Sequence, residues 1–122
     1  MITVNKERML AEFKELVALP CHTLKERPVF DYLKAKLESL GFTVEEDDAG
    51  EKLGGNCGNL WAFLPGTKAG ATAVLLSAHM DGVEPCGGTT VVQKDGVLYS
   101  DGTTILGGDD KSGVEGILEG IR

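Results

Sequence analysis

Two stretches near the start of the chain carry apolar residues at the spacing of an amphipathic helix. In residues 4–18 and again in residues 26–40, apolar side chains recur every three to four positions, which places them on one helical face. Pro20 follows the first stretch and Gly41 the second, and both residue types commonly mark helix ends. The pattern therefore predicts two helices, each with an apolar face packed on a core.

The middle of the chain changes to shorter apolar runs. Residues 42–47 alternate and then become acidic, which is typical of an edge strand, and residues 59–66 predict a second strand. Residues 72–79 form an uncharged apolar run, which predicts a central strand buried on both faces. Residues 49–58 contain four glycines and predict a loop.

The last third of the chain predicts a hairpin, a glycine-rich polar loop and a helix. Residues 89–100 place two β-rich arms around Asp95 and Gly96, a dipeptide that favours a tight hairpin turn. A helical pattern begins in residues 111–122 and still holds at Arg122. The order helix, helix, strand, strand, strand, hairpin, helix predicts an α/β domain whose later strands are absent.

Composition narrows the classes of function. The 122 residues are 42% hydrophobic and 25% charged, with a net charge of −7; this indicates a globular chain without the basic stripe of a nucleic-acid-binding protein. The apolar runs are too short for a membrane span, and residues 1–13 predict an amphipathic helix without the uncharged centre of a signal peptide. Cys21, Cys57 and Cys86 are odd in number and lack a CxxC pair, which favours free thiols in a reducing cytoplasm.

His79 and Asp81 stand two positions apart where the run 72–79 ends. In an extended chain these positions point to the same face, so an imidazole and a carboxylate would share one space. Open α/β sheets bind ligands at such strand ends. Imidazole suits zinc, and a carboxylate commonly orients a ligating histidine. By itself, however, the pair fits a polar turn that closes a strand better than it fits a metal site.

Asp109 and Asp110 stand where the glycine-rich loop enters the last helix. Adjacent carboxylates repel each other, and a cation would relieve the repulsion. The alternative is that an aspartate caps the helix and Lys111 neutralises the pair. Considered together with His79, the motif favours a metal centre, because two metals ~3.5–4 Å apart form a hydrolytic site that one carboxylate can bridge.

The sequences "LLSAHMDGV", 75–83, and "YSDGTTILGGDDKSGVEGILEGIR", 99–122, closely resemble the M20 metallopeptidases. The likeness is strongest to the peptidase T-like (tripeptide aminopeptidase) branch and extends along the whole chain. One departure is Gly82, where the family often has threonine. The resemblance implies a three-layer α/β sandwich with a mostly parallel sheet, a zinc-peptidase-like catalytic domain that is incomplete here. Residues 1–122 would form its N-terminal part, without the lid or dimerisation domain and the C-terminal part.

The resemblance also implies the chemistry of the site. The family holds two divalent metal ions, zinc or cobalt, and manganese is a further candidate. His79 resembles a ligand of one metal, Asp81 the catalytic-site carboxylate that orients this histidine, and Asp109 the bridge between both metals. A cis peptide would join Asp109 to Asp110. The implied reaction is aminopeptidase-type hydrolysis of a small peptide such as a tripeptide, with metal-activated water and a glutamate as general base.

The remaining members of the family's site are not matched in the chain. These are an adjacent glutamate pair that supplies the base and a ligand, a further acidic ligand and a C-terminal histidine. Glu45 and Glu46 are adjacent but precede both motifs, and Glu115 and Glu119 are not adjacent. His22 fits a solvated loop histidine. We therefore predict that the 122-residue chain is not a competent peptidase by itself.

Two alternatives remain open at this stage. The chain could be a non-catalytic metal-binding or interaction fragment that forms a homodimer or self-associates through the exposed edge of its incomplete sheet. It could also belong to an M20 carboxypeptidase or deacylase with another class of substrate. Cys86 is close in sequence to His79 and could be a ligand, but a small, partly buried residue is the favoured interpretation.

Overall fold

The computed structural model describes residues 3–122 of the chain. Its helices and strands are, in chain order, α1 Lys6–Ala18, α2 Arg27–Ser39, β1 Thr43–Glu46, α3 Ala49–Leu53, β2 Leu60–Phe63, β3 Val91–Lys94, β4 Val97–Ser100 and α4 Gly108–Gly120. The two N-terminal helices, the hairpin and the last helix predicted from the sequence are confirmed.

The first helix begins later than its apolar pattern predicts. The side chain of Asn5 accepts a hydrogen bond from the backbone N–H of Arg8 at 3.0 Å, so the helix begins at Lys6. Val4 remains outside the helix and is 52% exposed. The amphipathic helix predicted for residues 1–13 is therefore confirmed only from Lys6 onward, and residues 1 and 2 lie outside the described part of the chain.

The core lies among the three long helices, because each presents one apolar face to the others. α1 packs against α4, while α2 packs against β1 and β2. The buried cluster consists of Leu16, Cys21, Val29, Leu33, Leu37, Val114 and Leu118. At the end of α2, Gly41 adopts a positive φ of 89°, as expected for a residue that follows a helix.

The strands pair in two separate antiparallel ladders. β1 pairs with β2, and β3 pairs with β4. The turn between β3 and β4 has positive φ at Asp95 and Gly96, 53° and 77°, which is the conformation that a two-residue hairpin favours. Within residues 3–122, parallel pairing is limited to an isolated bridge between His22 and Gly82. The mostly parallel sheet implied by the resemblance is therefore represented here only by that bridge.

The glycine-rich segment 49–58 was predicted as a loop, and this is wrong for its first half. Residues Ala49–Leu53 form the short helix α3. A side chain at Gly50 would place its Cβ only 2.0 Å from the carbonyl oxygen of Cys57. The glycine there permits a close approach of two backbone segments, a role that composition alone cannot distinguish from loop flexibility.

The central strand predicted for residues 72–79 is also wrong for the described chain. These residues form neither a ladder nor a turn, and Val74, Leu75 and Leu76 are 81%, 79% and 53% exposed. A strand requires hydrogen-bonded neighbours, and in residues 3–122 no segment lies alongside this run to supply them. The run ends at His79, and the next residue, Met80, packs against the core.

None of the helices in residues 3–122 has the length and apolar character needed to cross a membrane.

Candidate metal centre

The imidazole of His79 connects two carboxylates that are distant in sequence. Its Nδ1 lies 2.8 Å from Oδ1 of Asp81, and its Nε2 lies 2.9 Å from Oδ1 of Asp109. The side chain of His79 is 50% exposed, that of Asp81 33% and that of Asp109 96%. The structure thus brings together all three residues singled out from the sequence, with Asp109 the most open to solvent.

Electrostatics at His79 favour a positive group between the two carboxylates. The hydrogen bond with Asp109 is the main cause that raises the pKa of His79, and Asp81 raises this pKa further against the opposing effect of burial. Without a metal, the imidazole is thus stabilised in the protonated form that donates from both nitrogens. A cation bound at Nε2 would replace the proton there, so binding would release a proton.

Asp81 is held in place by a residue that the sequence reasoning missed. The hydroxyl of Thr23 donates to Oδ2 of Asp81 at 2.7 Å, and this bond is the main cause that lowers the pKa of Asp81. Thr23 lies in the connection between α1 and α2, beside the bridge from His22 to Gly82. No local pattern marks Thr23, because only the tertiary fold brings it to Asp81.

The first turn of α4 gives its two aspartates different environments. Asp109 and Asp110 have non-helical backbone angles, with φ/ψ of −94°/105° and −120°/35°, and a cis peptide joins them, as the resemblance implies. Oδ1 of Asp110 accepts a hydrogen bond from the backbone N–H of Gly113 at 3.0 Å. Asp110 therefore caps the helix, as one of the two interpretations of the aspartate pair predicts, while the side chain of Asp109 lies next to His79.

The alternative in which Lys111 neutralises the aspartate pair is wrong. The side chain of Lys111 is fully buried, and its Nζ lies 2.5 Å from the carbonyl oxygen of Met80. Its bonds therefore go to the backbone beside His79 and not to the carboxylates of Asp109 and Asp110.

The three residues border an open cleft of about 320 Å³. Its lining residues are His79, Asp81, Gly82, Val83, Ile105, Gly107, Gly108 and Asp109. Carboxylates and an imidazole thus share the cleft with apolar side chains and with glycines that leave it wide. Such a cleft offers space for a small ligand close to Nε2 of His79.

The donor set fits part of a zinc or cobalt centre. In a tetrahedral zinc site with ligands at about 2.0–2.2 Å, neighbouring donors lie roughly 3.3 Å apart. Nε2 of His79 and Oδ1 of Asp109, at 2.9 Å, need only a small adjustment to reach this separation. Asp81 holds Nδ1, as a carboxylate behind a ligating histidine does. Within residues 3–122, no group of three or more histidine, cysteine or acidic side chains is arranged to enclose a metal.

The other candidate residues do not join His79. His22 pairs with Glu84 at 3.4 Å, and the thiol of Cys86 contacts the carbonyl oxygen of Gly82 at 4.0 Å. Glu46 pairs with Arg27, and Glu119 with Arg8. Cys21, Cys57 and Cys86 are free thiols, as predicted from their number and spacing.

Solved structures with this arrangement of elements are known. The aminopeptidase PepT from Bacillus cereus superposes with a TM-score of 0.94 at 43% identity, over 98% of this chain and 32% of that chain. A tripeptidase from Staphylococcus aureus superposes with a TM-score of 0.91 at 38% identity, over 97% of this chain and 32% of that chain. These matches support the resemblance of the chain to the M20 peptidases and to their peptidase T-like branch. The predicted fold class, an incomplete α/β domain, is confirmed by the same similarity.

Sequence comparison agrees with the structural similarity. The uncharacterized protein YqjE of Bacillus subtilis is 42% identical over 119 residues, which are 98% of this chain and 32% of that protein. The acetylornithine deacetylase of Myxococcus xanthus is 36% identical over 102 residues, 75% of this chain and 26% of that protein. No protein-family model matches the chain. The chain spans about a third of the length of the relatives it matches.

Proposed function

We propose that the chain forms part of a di-metal aminopeptidase that hydrolyses small peptides, such as tripeptides, in the cytoplasm. The observation that carries the proposal is the continuous series of contacts from Asp81 through His79 to Asp109. An aminopeptidase and a tripeptidase among the similar structures support the class of substrate. In this proposal His79 and Asp109 would hold the divalent metal, zinc, cobalt or manganese, and Asp81 would orient His79.

The residues of the chain would prepare the site in a defined order. Thr23 fixes the carboxylate of Asp81, which in turn holds Nδ1 of His79, so Nε2 points toward Asp109. The carboxylate of Asp109 is 96% exposed, and its Oδ1 already lies 2.9 Å from Nε2 of His79. Bound divalent ions would supply a water of lowered pKa and polarise the scissile carbonyl. The open cleft would admit a small peptide beside these groups.

The general base and the remaining ligands are not matched in this chain. We propose that they come from the part of the family's length that the chain does not span. This agrees with the finding that residues 3–122 enclose no metal with three or more ligating side chains. The chain alone would then hold a metal by two protein ligands and would lack the glutamate that takes the proton from water.

Zinc binding by the purified chain tests the proposal. Isothermal titration calorimetry is expected to show saturable binding that His79→Ala abolishes, because this substitution removes a ligand. His22→Ala is the matched control, since His22 is partly exposed and pairs with Glu84; it should leave the affinity unchanged. Zinc binding that is indifferent to His79→Ala, or its absence from the unmodified chain, would contradict the proposed ligand role.

A deacylase is the second candidate within the same family. The similarity to an acetylornithine deacetylase favours it, and the same metal chemistry would cleave an acyl-amide bond. Identity to that enzyme, 36%, is lower than the 43% identity to the aminopeptidase. We therefore place peptide hydrolysis first. The two proposed functions assign the same roles to His79, Asp81 and Asp109 and differ in the substrate that is cleaved.

We also propose that two copies of this chain associate through residues 69–78. Val74, Leu75 and Leu76 are exposed there, and residues 69–78 contain no aspartate, glutamate, lysine, arginine or histidine. Two copies can therefore pair along this run without placing like charges together, and pairing would satisfy its unpaired backbone groups.

Association is expected to depend on the exposed run. Sedimentation should give about twice the 12.9 kDa mass of one chain, and Leu75→Lys should return the chain to a monomer because it places a charge in the contact. Val4→Lys, at another exposed apolar position, is the matched control and should leave the mass unchanged. A monomer at every concentration, or equal effects of the two substitutions, would contradict this interface.

A further inference from the structure

Lys111 is a fully buried lysine beside the candidate metal centre. Its side chain has 0% exposure, although it lies only two positions after Asp109 at the start of α4. Lysine is almost never fully buried unless its charge is paired or hydrogen-bonded. Burial at this position therefore requires an explanation that packing alone does not supply.

The ammonium group of Lys111 has three acceptors within reach. Its Nζ lies 2.5 Å from the carbonyl oxygen of Met80, 3.3 Å from that of Asp81 and 3.4 Å from the thiol of Cys21. A lysine ammonium has three N–H donors, so each donor has one partner. Two of these partners are backbone groups of the segment that carries His79 and Asp81.

These bonds connect the two halves of the centre. Met80 stands between His79 and Asp81, so its carbonyl group fixes the peptide on which the orientation of both side chains depends. Lys111 itself belongs to the segment that carries Asp109. One side chain thus joins the segments whose donor atoms, Nε2 of His79 and Oδ1 of Asp109, are 2.9 Å apart.

We infer that Lys111 is a positioning residue that holds residues 79–81 against the start of α4 and keeps His79 and Asp109 at a separation suited to one metal ion. The inference rests on the proposed metal site. An apolar side chain of similar length would fill the same space but would leave the partly buried carbonyl groups of Met80 and Asp81 without the bonds from Lys111. The backbone of residues 79–81 would then no longer be tied to Asp109.

The first test compares metal affinity with stability. Lys111→Met is expected to weaken zinc binding by about 10–100-fold, the range typical of groups that orient ligands, as measured by calorimetry. Val114→Ala is the matched control, because Val114 is buried on the same helix but does not contact residues 79–81 through a hydrogen bond. Val114→Ala should lower the melting temperature and leave the zinc affinity within about twofold.

A second variant at the same position keeps the test decisive if Lys111→Met does not fold. Lys111→Gln keeps N–H donors on a shorter side chain and is expected to lose less affinity than Lys111→Met. If Lys111→Met does not fold, Lys111→Gln is judged by the same comparison with Val114→Ala. Zinc affinity that is unchanged in the folded Lys111 variant, or lowered equally by Val114→Ala, would overturn the inference.

A measurement without metal separates this inference from the proposed function. The ¹⁵N chemical shifts of the His79 ring report its contacts with Asp81 and Asp109. Lys111→Met is expected to shift the Nε2 resonance in the metal-free chain, whereas Val114→Ala is not. If the unmodified chain fails to bind zinc, the proposed function fails, and the ring shifts still decide whether Lys111 positions His79. Unchanged shifts would overturn its positioning role.

Discussion

Glu115→Gln is expected to stabilise the chain at pH 8 by on the order of 2 kcal/mol. Glu115 is only 2% exposed, and neither oxygen of its carboxylate has a hydrogen-bond partner in residues 3–122. Burial is the main cause that raises the pKa of Glu115 to about 7. A pKa shift of this size, from 4.5 to about 7, corresponds to roughly 3 kcal/mol of penalty for the ionised carboxylate. The glutamine variant avoids this penalty, but the cost of burying its amide group cancels part of the gain in stability.

The groups around Glu115 explain why no partner relieves this cost. Glu12 of α1 and Glu119 of α4 repel the carboxylate and raise its pKa, while Arg122 lowers it. Arg122 is already bound to both oxygens of Glu12. From α2, Lys36 also donates to Glu12. The titratable neighbours of Glu115 also include Tyr32 of α2, which is neutral and whose hydroxyl donates to Glu15. The cationic side chains Arg122 and Lys36 are therefore hydrogen-bonded to Glu12 and not to Glu115.

The gain should depend on pH in a defined direction. Between pH 4.5 and about 7 the folded chain keeps a proton on Glu115 that the unfolded chain has released. The contribution of Glu115 to stability is therefore fully present below pH 4.5 and is lost as the pH rises through about 7. Urea unfolding should show little difference between the variant and the unmodified chain at pH 4 and a growing difference from pH 5 to pH 8.

Glu7→Gln provides the matched control for this pH profile. Glu7 is exposed in the first turn of α1, so its substitution should change the free energy of unfolding by less than about 0.5 kcal/mol at each pH. A gain for Glu115→Gln that is constant from pH 4 to pH 8, or a loss at pH 8, would contradict the expected burial of an unpaired carboxylate.

Much of the local structure could be predicted from the residues. The periodic apolar faces predict α1, α2 and α4, since each element buries the stripe that its sequence displays. Asp95 and Gly96 predict the hairpin because their backbone tolerates positive φ. The segment 72–79 could not be assigned correctly in this way. An apolar run indicates burial, but whether a strand forms depends on neighbours that the run itself does not specify.

The candidate site likewise contains some residues that the sequence predicts and others that only the fold reveals. The spacing of His79 and Asp81 and the pair at Asp109 identified groups that the fold does bring together. Thr23 and Lys111 could not be found from spacing, because each acts on a partner that only tertiary structure brings near. A fully buried lysine beside a glycine-rich loop has no local signal that distinguishes it from a solvated one.

Asp109→Ala is expected mainly to weaken metal binding, whereas Asp110→Ala is expected mainly to lower stability. Asp109→Ala should weaken zinc binding by more than about 100-fold, beyond the range typical of orienting groups, because it removes a proposed ligand. It should change stability little, since this side chain is 96% exposed. Asp110→Ala removes the acceptor for the backbone N–H of Gly113 and should cost about 1 kcal/mol of stability, with zinc affinity reduced less than about tenfold. Calorimetry and urea unfolding on both variants measure the two effects. Equal loss of zinc affinity in both variants, or loss only in Asp110→Ala, would show that the carboxylate facing His79 is not the one that holds the metal.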